Sequence, residues 1–153
     1  MPRIAAREAA FAALAERLAQ AMPTTPVERN RRAKLSPQED FPRLVLRDGG
    51  QNPLSDAVGE EAWSVSAVVE GYVSGPEQQA GPAASDLYAR VAEALCSEAI
   101  IGAAGQMELY VSEGSLDFDV VAISDSAPMV AAFYLDLSFQ LRLPAGLRFL
   151  DIP

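Results

Sequence analysis

The sequence predicts an α+β fold, a mostly antiparallel sheet with two helices packed on one face, in the order α-β-β-α-β-β-β. Three observations carry this. Period-two alternation of apolar and polar residues recurs from Arg43 onward, the mark of strands with one buried face. Only two stretches have helical spacing. Strands come in runs instead of alternating one for one with helices, which argues against a parallel βαβ sheet.

The elements follow in order. Arg3 to Ala21 reads as a helix: Ile4, Phe11, Leu14 and Leu18 form an apolar stripe, alanines raise helix propensity, and Pro23 and Pro26 end it. Pro23 to Asp40 is proline-marked, polar and basic, a loop longer than compact domains usually carry without a purpose. Arg43 to Arg47 alternates as a short strand, Asp48-Gly49-Gly50 reads as a turn, and Gln51 to Glu61 as a second loop. Ala62 to Ser74 is a long strand with Trp63, Val65, Ala67, Val69 and Val73 on one face; Gly71 within it marks a bulge or a close approach. Gly75 to Ala84 is a loop, and Ser85 caps a second helix reaching about Ala99.

Gln106 to Ser112 and Leu116 to Ile123 alternate as two strands joined by a tight hairpin at Glu113-Gly114-Ser115. Ser124 to Pro128 is a loop. Met129 to Leu143 is the clearest strand, with Phe133, Leu135, Leu137, Phe139, Leu141 and Leu143 on one face. Its length, roughly 45 Å at about 3.3 Å per residue, must pair with something, and a neighbouring subunit is one candidate. After Pro144-Ala145-Gly146 the chain ends in a tail or a short edge strand. At 153 residues, one domain spanning 1–153 is expected, large enough to bury a core without a disulfide or a metal.

Charge is unevenly spread. Residues 1–50 hold nine Arg or Lys against six Asp or Glu, a net +3, and residues 51–153 hold three against fifteen, a net −12. Such a dipole favours head-to-tail attraction between copies. The overall net charge of −9 argues against non-specific DNA binding, although an acidic lining lets DNA slide past. The sequence contains no histidine, which removes the commonest general base and metal ligand. The single cysteine, Cys96, fits a buried thiol in a reducing compartment. Charges interrupt the N-terminal stretch, so it is not a signal peptide, and no apolar run reaches the roughly 18 residues of a membrane span.

Few constellations suggest chemistry. Asp117 and Asp119 lie two apart on a strand, so both carboxylates share a face. That arrangement serves acid/base work or a hard cation, but also an ordinary solvated face. Ser124, Asp125 and Ser126 lack a nucleophile elbow, and the glycines match no phosphate loop. Arg29, Arg31, Arg32 and Lys34 form the one basic cluster. Without interleaved aromatics it is a weak nucleic-acid signal, and docking to an acidic protein surface is the alternative. No catalytic set, metal site or cofactor site is predicted.

The chain resembles tail terminator proteins of long-tailed bacteriophages and of gene transfer agents. The resemblance runs through the leading helix, Phe41-Pro42-Arg43-Leu44-Val45-Leu46-Arg47-Asp48-Gly49, Val68-Val69-Glu70-Gly71-Tyr72-Val73 and the helix from Ser85. It continues in Gly114-Ser115-Leu116-Asp117-Phe118 and in Ala132 to Gly146, closing in Leu143-Pro144-Ala145-Gly146. It implies a non-enzymatic homo-oligomer, typically a hexameric ring, in a virion or phage-like particle assembled in the bacterial cytoplasm. Its partners would be the tail tube protein and the head connector, with DNA passing through unread and no membrane involved. Another head–tail connector or completion protein, or a small protein-binding module of such a particle, is the alternative. On either reading the Arg29–Lys34 cluster is a candidate contact with a neighbouring subunit or ring, and Asp117 and Asp119 are candidate channel-facing acids.

Overall fold

The computed structural model describes residues 2–36, 38–54, 59–121 and 129–152, the side chains of Glu77 and Val121 excepted. The Ser124–Pro128 loop, with the Ser124, Asp125 and Ser126 cluster, lies outside the described residues, as does the end of the strand expected to reach Ile123. In chain order the elements are β1 (Arg3–Ala5), α1 (Ala6–Ala21), β2 (Val27–Arg29), β3 (Arg43–Pro53), β4 (Glu60–Ser74) and α2 (Glu77–Cys96). There follow β5 (Ile100–Gly102), a 3-10 turn (Ala103–Gly105), β6 (Met107–Leu109), β7 (Val111–Val121), β8 (Val130–Pro144) and β9 (Phe149–Asp151).

The α+β class holds. A five-stranded sheet runs β2-β3-β4-β8-β7, antiparallel throughout except for the parallel β2–β3 pair. At its centre β4 and β8 pair in unbroken register from Glu60↔Pro144 to Ser74↔Val130. This is the partner that the length of β8 demands. Antiparallel partners share a face, so Val65, Val69, Phe133, Leu135 and Phe139 all point one way. On that side they meet Phe11, Leu14 and Leu18 of α1 and Ala84, Leu87, Val91 and Leu95 of α2 in one core. Phe11 packs edge-on to Phe139 with ring centroids 5.6 Å apart, a favoured aromatic geometry.

The expected order omitted several short elements. The first helix begins at Ala6 instead of Arg3, because Arg3–Ala5 pairs with Phe149–Asp151 as a two-stranded sheet. Val27–Arg29, read as loop, pairs with Leu44–Leu46. The second helix starts eight residues earlier than Ser85 and runs through Pro82. Proline there forgoes one ladder bond, and burial of Ala80 and Ala84 against the sheet holds the early turns in place. Two expected turns are bulges. The chain does not reverse at Asp48-Gly49-Gly50; β3 continues to Pro53 with a register shift between Asp48 and Gln51. The expected hairpin at Glu113-Gly114-Ser115 is likewise a shift within the single strand β7, where Gly114 and Ser115 oppose Asp136 alone. Pairing with a long neighbour overrides turn composition in both places. Residues Met107–Leu109 instead form a separate hairpin with Ile100–Gly102.

Gly71 of β4 is the close approach suspected from the sequence. A Cβ there would lie 2.1 Å from a Phe133 ring carbon, its own register partner. The ring lies over the bare backbone, and Phe133 is fully buried. Gly71→Ala is therefore expected to destabilise the fold by about 1–3 kcal/mol through overpacking. Chemical denaturation should show a lower midpoint at unchanged slope.

Candidate interaction surface

The sheet face away from the helices is not bare. Residues 30–36 and 38–42 cross it after β2, and Leu35 and Phe41 pack on Val45, Tyr72, Val130 and Ala132. The long basic loop is thus a cover, and its charges hold it down. Glu28 accepts hydrogen bonds from Arg31 (3.0 Å) and from Arg43. Glu39 accepts one from Arg31 and pairs with Arg43 at 3.3 Å. Arg47 is bonded to Glu70, and it donates to the Arg31 carbonyl at 2.7 Å. Tyr72 donates to the same Glu70 at 2.6 Å. On the helix side of the sheet, Arg29 bridges Glu8 of α1 (2.5 Å) and Asp48 of β3 (2.7 Å).

Two members of the predicted basic cluster are therefore committed to partners within the chain. Arg31 is largely buried between Glu28 and Glu39, and Arg29 fastens β2 to α1. Arg32 and Lys34 are exposed, and neither has an ion pair among the described residues. They stand at the mouth of a cavity of about 440 Å³ floored by Val45, Glu70, Tyr72 and Tyr134. The sequence signal for the internal pairing was present in Glu28, Glu39 and Asp48, acids interspersed among the arginines. It lacked only the strand Val27–Arg29 that aligns them.

Asp117 and Asp119 lie on β7, a sheet edge, opposite Tyr134 and Ala132 and hence on the face away from the helices. Both are exposed and have no ion pair among the described residues. The Asp119 carboxylate accepts the Val120 N–H at 2.7 Å. The structure does not bring these two acids together with the basic cluster into a single site.

Ion pairing and burial shift several of these groups. The Arg29 hydrogen bond holds Glu8 below the usual carboxylate range, and Arg31 does the same for Glu39. Burial, with Glu70 beside it, pushes the Tyr72 hydroxyl up. Burial also pushes the Cys96 thiol up to about 11, with Glu113 adding to the effect, so the sulfur is a poor nucleophile at neutral pH. Among the described residues no group of three or more acids or cysteines is arranged to hold a metal, and no helix is long and apolar enough to cross a membrane.

The fold and this surface define a class: a small α+β protein in which Glu28, Arg31, Glu39, Arg43, Arg47 and Glu70 brace a loop over the second face of its sheet. The particular likeness is to gp17 of bacteriophage SPP1. That solved structure aligns over 92% of this chain and 94% of its own, at 17% identity and a TM-score of 0.50. The two share a fold. A second solved chain, 16% identical over 88% of this chain and 93% of its own, reaches a TM-score of 0.39 and carries no argument. No family model and no curated protein sequence matches.

The brace makes two measurable predictions. Glu28→Gln weakens the acceptor shared by Arg31 and Arg43, and should cost about 1–2 kcal/mol in denaturation experiments. Glu8 and Glu39 have depressed pKa values when folded. Their contribution is complete above the unfolded glutamate value, about 4.3, and is lost as pH falls through the folded values. The melting temperature should therefore hold down to about pH 5 and fall below about pH 4. The fall should be shallower in a Glu8→Gln, Glu39→Gln double variant.

Proposed function

We propose that this protein is a structural assembly component of a phage-like particle, a tail terminator acting as a homo-oligomeric ring that ends tail-tube growth and meets the head connector. The observation that carries the reading is the fold shared with a bacteriophage protein over nearly the whole of both chains. The sequence patterns that resemble tail terminators point the same way. A non-enzymatic role fits a chain without histidine whose cysteine is kept protonated. Another connector or completion protein of such a particle is the neighbouring reading.

Within this role Arg32 and Lys34 are the cations free to meet acids of a sister subunit or an adjoining ring. Arg29 and Arg31 serve indirectly, by holding the loop that presents them. Contacts of this kind weaken with salt. Asp117 and Asp119, exposed and unpaired, are placed to repel phosphate if their face lines the passage.

Mass measurement in solution at low and high salt tests the ring. An oligomer that loosens with salt, and that Arg32→Glu with Lys34→Glu weakens at least tenfold, is expected. A monomer under every condition, together with unchanged tail joining by the charge-reversed variant, overturns the reading. Asp117→Asn with Asp119→Asn should leave the tail joined but slow DNA passage. Unchanged delivery removes the lining role while leaving the ring intact.

A further inference from the structure

Four cations, Arg31, Arg32, Lys34 and Arg47, and one acid, Glu70, line the cavity of about 440 Å³ beside the cover. Internal partners account for part of this charge. Glu28 and Glu39 balance Arg31 and Arg43, and Glu70 balances Arg47. Arg32 and Lys34 remain, exposed and without an ion pair among the described residues. The recess is thus locally positive in a chain whose net charge is −9.

Hydrogen bonding in the same segment carries a second, independent signal. Its acceptors are already used. The Arg31 carbonyl accepts from Arg47 at 2.7 Å, and the Ala33 and Lys34 carbonyls accept from Arg31 at 2.9 and 3.0 Å. The Glu70 carboxylate takes both Arg47 and the Tyr72 hydroxyl. Its donors are open: among the described residues no acceptor meets the backbone N–H of Arg32, Ala33, Lys34 or Leu35. A recess that offers chiefly donors and positive charge suits an anion.

The walls favour a carboxylate carried by a protein. Leu35, Val45 and the rings of Tyr72 and Tyr134, edge-on at 6.4 Å, give the recess an apolar side. That side accepts an aliphatic or aromatic neighbour of the acid and offers nothing to free phosphate. A duplex presents a row of phosphates about 3.4 Å apart along each strand. Two unpaired cations at one recess do not track such a row, and the net negative charge of the chain opposes it.

We infer that this recess docks an acidic peptide segment of a partner protein, one that sets an aspartate or glutamate beside an apolar residue. The carboxylate meets Arg32, Lys34 and the open N–H groups, and the apolar neighbour lies on Leu35 and Tyr134. This rests on the contact role given above to Arg32 and Lys34 and names the chemistry that the contact takes. It does not depend on a ring.

Peptide binding to the full chain tests it. The probe is a short fluorescent peptide of alternating glutamate and leucine. Saturable binding that weakens with salt is expected, with NMR amide shifts at Ala33, Lys34, Leu35 and Val45. Glutamine for glutamate in the peptide, or Arg32→Gln with Lys34→Gln in the protein, should each weaken binding by about tenfold or more. Both protein positions are exposed, so circular dichroism and the denaturation midpoint should stay native. Arg32→Lys with Lys34→Arg should keep binding, and serine for leucine in the peptide should weaken it. No saturable binding, binding indifferent to the Arg32→Gln, Lys34→Gln pair, or shifts confined to other regions overturns the inference. Tighter binding of inorganic phosphate or of a single-stranded oligonucleotide than of the peptide overturns it as well. A salt-sensitive oligomer that needs Arg32 and Lys34, in a chain that ignores the peptide, removes this site and leaves the contact role standing. A monomer that binds the peptide supports the site while the ring reading falls.

Discussion

The pairing of β4 with β8 is the constraint on which the rest of this structure depends. Fifteen residues of each strand run antiparallel with no slip. A one-residue shift would turn every core side chain outward. The Gly71–Phe133 contact helps to fix this register, since only a residue without a side chain leaves room for the ring. Once register is set, both faces of the sheet are determined. One takes the helices, and the other receives Val45, Glu70, Tyr72 and Tyr134 from three adjacent strands.

That second face accounts for where much of the N-terminal arginine goes. A half-polar sheet surface bearing Glu70 and Arg47 cannot be sealed by an apolar cover. The loop after β2 covers it with two apolar anchors, Leu35 and Phe41, surrounded by charge pairs. The pairing leaves the basic N-terminal third's net charge at +3, because Glu8, Glu28, Glu39 and Asp48 lie in it as well. Four of its arginines, Arg29, Arg31, Arg43 and Arg47, face acids of the same subunit. Among the described residues Asp117 and Asp119 on the β7 edge have no such partners, and neither do Arg32 and Lys34 on the cover.

What the sequence made legible follows from period and length. The long strands, the stripe of α1 and the core face of β8 were all readable, because alternation over a dozen residues has one structural solution. What was not readable depended on distant partners. Val27–Arg29 is too short to show a period and is a strand only because Leu44–Leu46 lies beside it. Gly114-Ser115 has turn composition, yet β8 continues past it and makes it a bulge. Pro82 marks a break by local rules, but the core draws the helix through it. For the candidate surface, the sequence singled out the Arg29–Lys34 loop and the acids Asp117 and Asp119. It could not separate Arg29 and Arg31, which brace the fold, from Arg32 and Lys34, which do not.

The edges of the sheet limit how this chain can add strands. At one edge β2 is only three residues long, and the loop that follows it folds over the sheet, which limits strand addition there. At the other, β7 runs eleven residues with exposed Asp117 and Asp119, and unpaired charges discourage unregulated edge pairing. Neither edge invites indefinite growth by adding strands. In the proposed ring, contact between copies falls to side-chain surfaces, of which the one bearing Arg32 and Lys34 on the cover is a candidate. The proposed ring, which would reach a fixed number and then stop, is better served by localised side-chain contacts than by an open strand.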